Sequence, residues 1–202
     1  MEIPLYIDET AGVDRRSEPV TTGVPMHRGS LKDLARLSLR TATGEPVPAQ
    51  FGLLSDWPDG SSKWVLVDFQ ADVDANARAG YTLSDDGEDV LPANPVHVTD
   101  GNTQIDVSNG IMTLSISREK FSVLSGLTLG GRSIFGEKSA VRLFPTEGDV
   151  VTSTAQPPDV IRIEEQGPLR AVIRVEGHFA TGNENRLRYI CSITVYAGQP
   201  LV

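Results

Sequence analysis

Glu176, His178 and Arg188 are the residues whose types and spacing come nearest to a reaction centre. Residues 169–180 and 186–196 each alternate apolar and polar side chains with the period of a β-strand. Thr181-Gly182-Asn183-Glu184-Asn185 between them reads as a five-residue hairpin loop. On the first strand Ala171, Ile173, Val175 and Phe179 share one face, and Arg174, Glu176 and His178 share the other. On the second, Leu187, Tyr189, Cys191, Ile193 and Val195 oppose Arg186, Arg188 and Tyr196. A symmetric closure with Ala180 opposite Arg186 sets His178 across from Arg188 and Glu176 across from Ile190. An imidazole beside a guanidinium is suited to removing a proton next to a carboxylate and stabilising the dianion that forms. The same pattern also fits the solvated face of an antiparallel sheet, where a cross-strand ion pair is worth less than about 1 kcal/mol. A register shift of one residue would disperse the three.

A second group lies near the start of the chain. His27-Arg28 follows Pro25 and precedes Gly29. A guanidinium on a loop there can grip a ligand carboxylate bidentately, or pair with an acidic neighbour in a strongly acidic region. Trp57 and Trp64, the two tryptophans of the protein, flank the turn Pro58-Asp59-Gly60. An indole at each foot of a turn can close a core or offer a flat apolar ring to a sugar. Trp57, Arg28 and His27 are therefore the candidate substrate contacts. Asp59 reads as a turn-former, since Asp-Gly supplies the side chain-to-backbone hydrogen bond and the permissive φ that reverse a chain.

Other chemistries find no support. Three scattered histidines and the lone Cys191 give no zinc-ligand spacing, and one cysteine forms no internal disulfide. Cys191 sits in an apolar strand and reads as a small core residue. Asp85-Asp86-Gly87-Glu88-Asp89 lacks the ligand spacing of a calcium loop and reads as a solvated linker. Gly130-Gly131 belongs to a hairpin, and no nucleophile elbow, Walker or dinucleotide fingerprint is present. No cofactor and no metal are expected. The net charge of −9 argues against nucleic acid and against an anionic membrane surface, and no run approaches the ~20 apolar residues of a membrane span. Met1-Glu2-Ile3-Pro4-Leu5 lacks the basic and apolar regions of a secretory signal, which favours the cytoplasm if Met1 is the native start. Gln199-Pro200-Leu201-Val202 reads as the approach to another strand, so the chain is expected to be a piece cut from a longer protein.

The elements that must position these residues are all β. Residues 17–26 read as the first clear strand. Ser30-Leu31-Lys32-Asp33 resembles a capping box opening a helix of one or two turns, and Leu37-Ser38-Leu39-Arg40 already alternates like a strand. Thr43-Gly44-Glu45-Pro46 turns the chain into a partner strand over 47–54. The run from Trp64 to Phe69 is nearly continuous in β-formers, as in a strand buried on both faces. A strand over 79–83 completes this region. Strands follow at 104–107, 110–117, 123–129, 141–144 and 160–164, with Asn109-Gly110 as the strongest hairpin signal. The acidic run and Leu91-Pro92-Ala93-Asn94-Pro95 form a linker. Up to residue 92 there are 8 basic and 16 acidic residues, and thereafter 10 and 11. The boundary is placed at Pro92, dividing the chain into 1–92 and 93–202.

Gly23-Val24-Pro25-Met26-His27-Arg28-Gly29, with Trp57-Pro58-Asp59-Gly60-Ser61-Ser62-Lys63-Trp64 and Asp68-Phe69, resembles the N-terminal domain of the exo-acting rhamnogalacturonan lyase family. Arg28 matches that family's pattern. The resemblance is good over 10–85 and looser beyond. It implies a small N-terminal RIFT-type β-barrel over 1–92, then an antiparallel, supersandwich-like β-sandwich begun over 93–202 and cut short. A C-terminal helical domain, absent from this chain, would follow. It further implies β-elimination on a uronic-acid-containing polysaccharide or oligosaccharide, with most catalytic groups in the absent helical domain or at its interface with the sandwich, and this segment inactive alone. The competing reading is a structural or protein-interaction β module of a surface or phage-like assembly. Sparse aromatics and an acidic barrel, which repels a polyanion, favour that reading.

Overall fold

The computed structural model describes residues 1–87, 90–124, 126–135, 139–181 and 184–200. Glu88-Asp89 of the acidic run, Gly182-Asn183 of the hairpin loop and the terminal Leu201-Val202 lie outside the described residues. The chain forms two compact units, Met1–Pro92 and Ala93–Val202. Both are built of antiparallel strands.

The first unit contains β1 (Glu2–Asp8), β2 (Arg15–Pro25), β3 (Ser38–Thr41), β4 (Pro46–Val47), β5 (Ala49–Asp56), β6 (Ser62–Val73) and β7 (Arg78–Ser84). They form one sheet in the order β1-β7-β3-β4 and a second in the order β2-β6-β5. Leu37, Leu39, Val65, Val67, Phe69 and Leu83 meet in a single core. There the Phe69 ring lies edge-on to Tyr81, with centroids 4.9 Å apart.

The structure departs from the sequence expectations at four points in this unit. β1 precedes the expected first strand: its register with β7 runs from Glu2↔Ser84 to Asp8↔Arg78. Pro4 hides this strand from a propensity reading, yet an edge position tolerates a residue with no N–H to donate. The expected helix is one 3₁₀ turn, Leu34–Arg36, capped by Asp33, whose carboxylate accepts from Ala35 N at 3.0 Å. Ser30 does not cap it; its hydroxyl donates to the His27 carbonyl instead. Pro48 splits the expected strand at 47–54 into β4 and β5. Finally, β6 is not apolar on both faces. Val65, Val67, Phe69 and Ala71 point inward, while Trp64 is 41% exposed and the buried Asp68 is held by the Thr21 hydroxyl.

The second unit continues with β8 (His97–Asp100), β9 (Gln104–Ser108), β10 (Met112–Ser117), β11 (Gly126–Leu129) and β12 (Arg132–Ser133), a meander in sequence order. A short ribbon pairs β13 (Arg142–Leu143) with β14 (Val151–Thr152). The second sheet has the order β15-β16-β17, formed by Val160–Gln166, Arg170–Thr181 and Glu184–Tyr196. Ile105, Val107, Leu114 and Ile116 of the meander pack with Ile173, Val175, Ile193 and Val195 of the three-stranded sheet. Phe121 stacks on Tyr189 between them, centroids 5.8 Å apart. Gly177, paired with Tyr189 across β16 and β17, leaves the room that the Tyr189 hydroxyl occupies. The sequence did not disclose β8. It also placed Val123 in a strand, whereas Val123 has φ +52 and β11 begins at Gly126.

Asn109 joins the two sheets. It is fully buried, and its amide donates to the carbonyls of Tyr196 and Gln199, both at 2.7 Å. Its oxygen accepts from Ile111 N and Met112 N at 3.2 and 3.0 Å. Gly110 follows at φ +84, where a Cβ would also fall 2.6 Å from Asn94 Oδ1. Asn109→Ala removes four hydrogen bonds made by a side chain at zero exposure, so it is expected to cost on the order of 3 kcal/mol. The loss reads out as a lower urea midpoint at unchanged slope. Asn109→Asp, which sets a buried carboxylate against two carbonyl oxygens, should cost at least as much.

Candidate functional site

The β16–β17 hairpin brings the first group of candidates together. His178 pairs with Arg188 and Glu176 with Ile190, the partners that the symmetric closure predicts. The closure at the loop differs: Ala180 pairs with Asn185, not Arg186, because a bulge shifts the register after Phe179. Glu176 lies on the outer face yet is only 6% exposed. Three arginine guanidinium groups surround its carboxylate. Its carboxylate accepts from Arg188 and from Arg174 Nε at 2.7 Å, and Arg162 of β15 stands 3.8 Å away. Glu164 lies at the other end of this network, 2.9 Å from Arg162 and 3.7 Å from Arg174.

His178 is not part of that network. Its Nδ1 meets Asp159 Oδ2 at 2.5 Å, with both side chains partly exposed. In a neutral imidazole that donates Nδ1–H to this carboxylate, Nε2 is the acceptor, the arrangement a general base needs. Asp159 was missed by the sequence reading because it lies 19 residues from His178. Only the pairing of β15 with β16, continued by the Asp159 N to Glu176 carbonyl bond of 2.8 Å, brings it alongside. The base and the cation thus sit side by side on neighbouring strands, but the Arg188 guanidinium is already neutralised by Glu176. Grooves of about 570 Å³ near Ser115 and Lys120, and of about 530 Å³ near Pro145 and Leu187, contain none of the three.

In the first unit the loop before β6 gathers the second group. Asp59 accepts from Ser61 Oγ at 2.6 Å, Ser61 N at 3.1 Å and Arg28 Nε at 3.0 Å. The Ser61 hydrogen bonds, with Arg28 adding to them, lower its pKa from 3.8 to about 2. Ser61 Oγ in turn accepts from Gly29 N at 2.8 Å. Trp57 Nε1 donates to the Met26 carbonyl at 3.1 Å, and the Lys63 ammonium sits 4.8 Å from its ring centroid. Both indoles lie outside the core: Trp57 is half-buried and Trp64 exposed. The His27 side chain is exposed, and its carbonyl accepts from Ser30. Arg28 is therefore paired with an acidic neighbour, the second of the two roles open to it.

Residues 6–85 match the family described as the PcRGLX-like N-terminal RIFT barrel domain, and residues 96–202 match the PcRGLX-like protein central beta sandwich domain. The chain belongs to the PcRGLX-like family. Its all-β architecture is that family's barrel followed by its sandwich. The PcRGLX-like chain is also 25% identical over 197 residues to a Bacillus subtilis protein named "Uncharacterized protein YetA", a match covering 93% of this chain and 23% of that relative. The chain thus spans about a quarter of the relative's length. Among the described residues of this PcRGLX-like chain no cluster of three or more histidine, cysteine or acidic side chains could hold a metal ion. No helix among them is long and apolar enough to cross a membrane. Burial pushes the half-buried Cys191 thiol up, away from the thiolate a nucleophile requires.

Two outcomes follow from these charges. Glu176→Ala is expected to cost about 1–3 kcal/mol, because it leaves three clustered cations without their shared anion. Arg188→Ala removes the same ion pair but an exposed partner, and should cost below about 1 kcal/mol. Urea unfolding of the two variants checks that order. Asp59, whose folded pKa is depressed, contributes stability that is present above pH 3.8 and lost as pH falls toward about 2. The melting-temperature gap between the native chain and Asp59→Asn should therefore be full at neutral pH and close across that acid window.

Proposed function

We propose that this PcRGLX-like chain is the N-terminal, non-catalytic β portion of a longer polysaccharide lyase-like protein that cleaves uronic-acid-containing, rhamnogalacturonan-type glycans by β-elimination. Its barrel corresponds to 1–92 and the first part of its sandwich to 93–202. One observation carries the reading. The candidate cations Arg28 and Arg188 are each paired with a carboxylate of their own unit, and the His178 imidazole is engaged by Asp159, so no unpaired cation among the candidates stands ready for a substrate carboxylate. The family match and the share of the relative that is spanned support a chain whose chemistry lies elsewhere in a longer polypeptide. In that protein Trp57, Arg28 and His27 supply sugar contacts, and the His178–Asp159 pair supplies a polar edge that a helical domain completes.

A second reading has a specific observation in its favour. Residues up to 92 carry twice as many acidic as basic side chains, a poor docking surface for a polyanion and a suitable one for a protein partner. In that reading the chain is a structural or protein-interaction module. Incubation with rhamnogalacturonan oligosaccharides separates the cases. The chain alone should release no ultraviolet-absorbing unsaturated uronate, while the longer polypeptide containing it should. Turnover by the chain alone overturns the non-catalytic assignment. If the longer polypeptide is folded but neither cleaves nor binds these glycans, the interaction module is the correct reading.

A further inference from the structure

Sheet edges differ sharply in how they are protected. An exposed edge presents unpaired N–H and C=O groups, and stable proteins blunt it with proline, charge, a bulge or brevity. β1 carries Pro4 and acidic ends, and β2 carries Pro19, Pro25 and a bulge after Arg15. β5 is bulged after Leu53, and β4 and β12 have two residues each. β8 has four residues and ends on Asp100. β15 combines Arg162, Glu164 and Glu165 with a bulge after Ile163.

β17 is the exception. It is 13 residues long and pairs only with β16 among the described residues. Its bulge and its arginines are confined to the hairpin end. The remaining stretch, Tyr189-Ile190-Cys191-Ser192-Ile193-Thr194-Val195-Tyr196, has no charge, no proline and no glycine. Six of its eight residues are β-branched or aromatic, the composition of a strand hydrogen-bonded on both sides. Ile190 on its outer face is 50% exposed. The far end is held in place by Asn109, so the edge is rigid and extended.

We propose that the open edge of β17 receives a further β-strand of the longer polypeptide, making β17 an interior strand of the sandwich. This rests on reading the chain as part of a longer protein, for which the length of the relative leaves ample chain: the match takes up only 23% of it. The incoming strand is itself uncharged and rich in β-formers over about eight residues, to match the unprotected stretch of β17.

Hydrogen exchange followed by mass spectrometry tests this on the 202-residue chain and on the longer polypeptide that contains it. In an edge strand every second amide points away from its neighbour, so about half of the amides over 189–196 should exchange rapidly in the shorter chain. In the longer polypeptide those amides should slow by at least about tenfold, while the amides of β16 change little. Equal exchange in both, with β16 protected in both, overturns the proposal and leaves the multidomain reading standing. Slowing that disappears on dilution assigns the edge to a second copy and also overturns it. Slowing that persists in a polypeptide with no lyase activity sinks the proposed reaction and leaves the strand pairing intact.

Discussion

The second unit depends on one buried amide. Hydrophobic burial explains why the inner faces of the meander and of β15-β16-β17 meet, but apolar contact is non-directional and tolerates sliding. The Asn109 side chain, at zero exposure, removes that freedom: two hydrogen bonds tie it to the exit of β17 and two more fix the β9–β10 turn it stands in. At such a site each bond is costly to lose, because water cannot replace it. The first unit uses the same device in anionic form. Glu9, 7% exposed, accepts from the amides of Ala11, Gly12, Val13 and Asn76, so one carboxylate ties the β1–β2 turn to the β6–β7 turn. Those amides hold its pKa below the usual carboxylate range.

This explains part of the acidity of the first unit. Asp59 organises the loop before β6, Asp33 caps the 3₁₀ turn, Asp68 is buried against Thr21, and Asp86 binds Arg40 and Ser38. These carboxylates accept hydrogen bonds from turns and neighbouring strands, so much of the negative charge has an internal role. Net charge describes the field at a distance and does not count how many acidic groups are already committed.

The legible parts of the sequence were those governed by local chemistry. Asp59-Gly60 and Asn109-Gly110 announced their turns, and alternation along 169–180 and 186–196 separated the two faces of the hairpin, while the pairing of His178 with Arg188 rests on a bulge after Phe179 that alternation does not encode. What failed depended on the third dimension. Alternation cannot say which face of β6 meets the core, so Trp64 was read as buried when it lies outside. β1 alternates along Glu2–Asp8 but is short and carries Pro4, which only its edge position makes compatible with a strand. Within the candidate site, Asp159, Arg162 and Arg174 come together with Glu176 and His178 through the register of β15 against β16, and no spacing along the chain encodes that.

The same register bears on recognition. For a glycan carboxylate to take over the Arg188 contact that Glu176 holds, it must displace a group of the same charge that is held in place by Arg174 as well. Glu176 loses no translational freedom in that contact, whereas an arriving ligand does, so a single carboxylate of equal charge cannot win the exchange. The outcome changes only if other groups hold the sugar at the same time, because a linked second contact raises the effective concentration of the first. An open sheet face bearing one dyad and a neutralised arginine cluster lacks such groups. Recognition of an anionic glycan by this face therefore requires a second surface opposite it, and that requirement ties the charge network of β15, β16 and β17 to the multidomain reading of the chain.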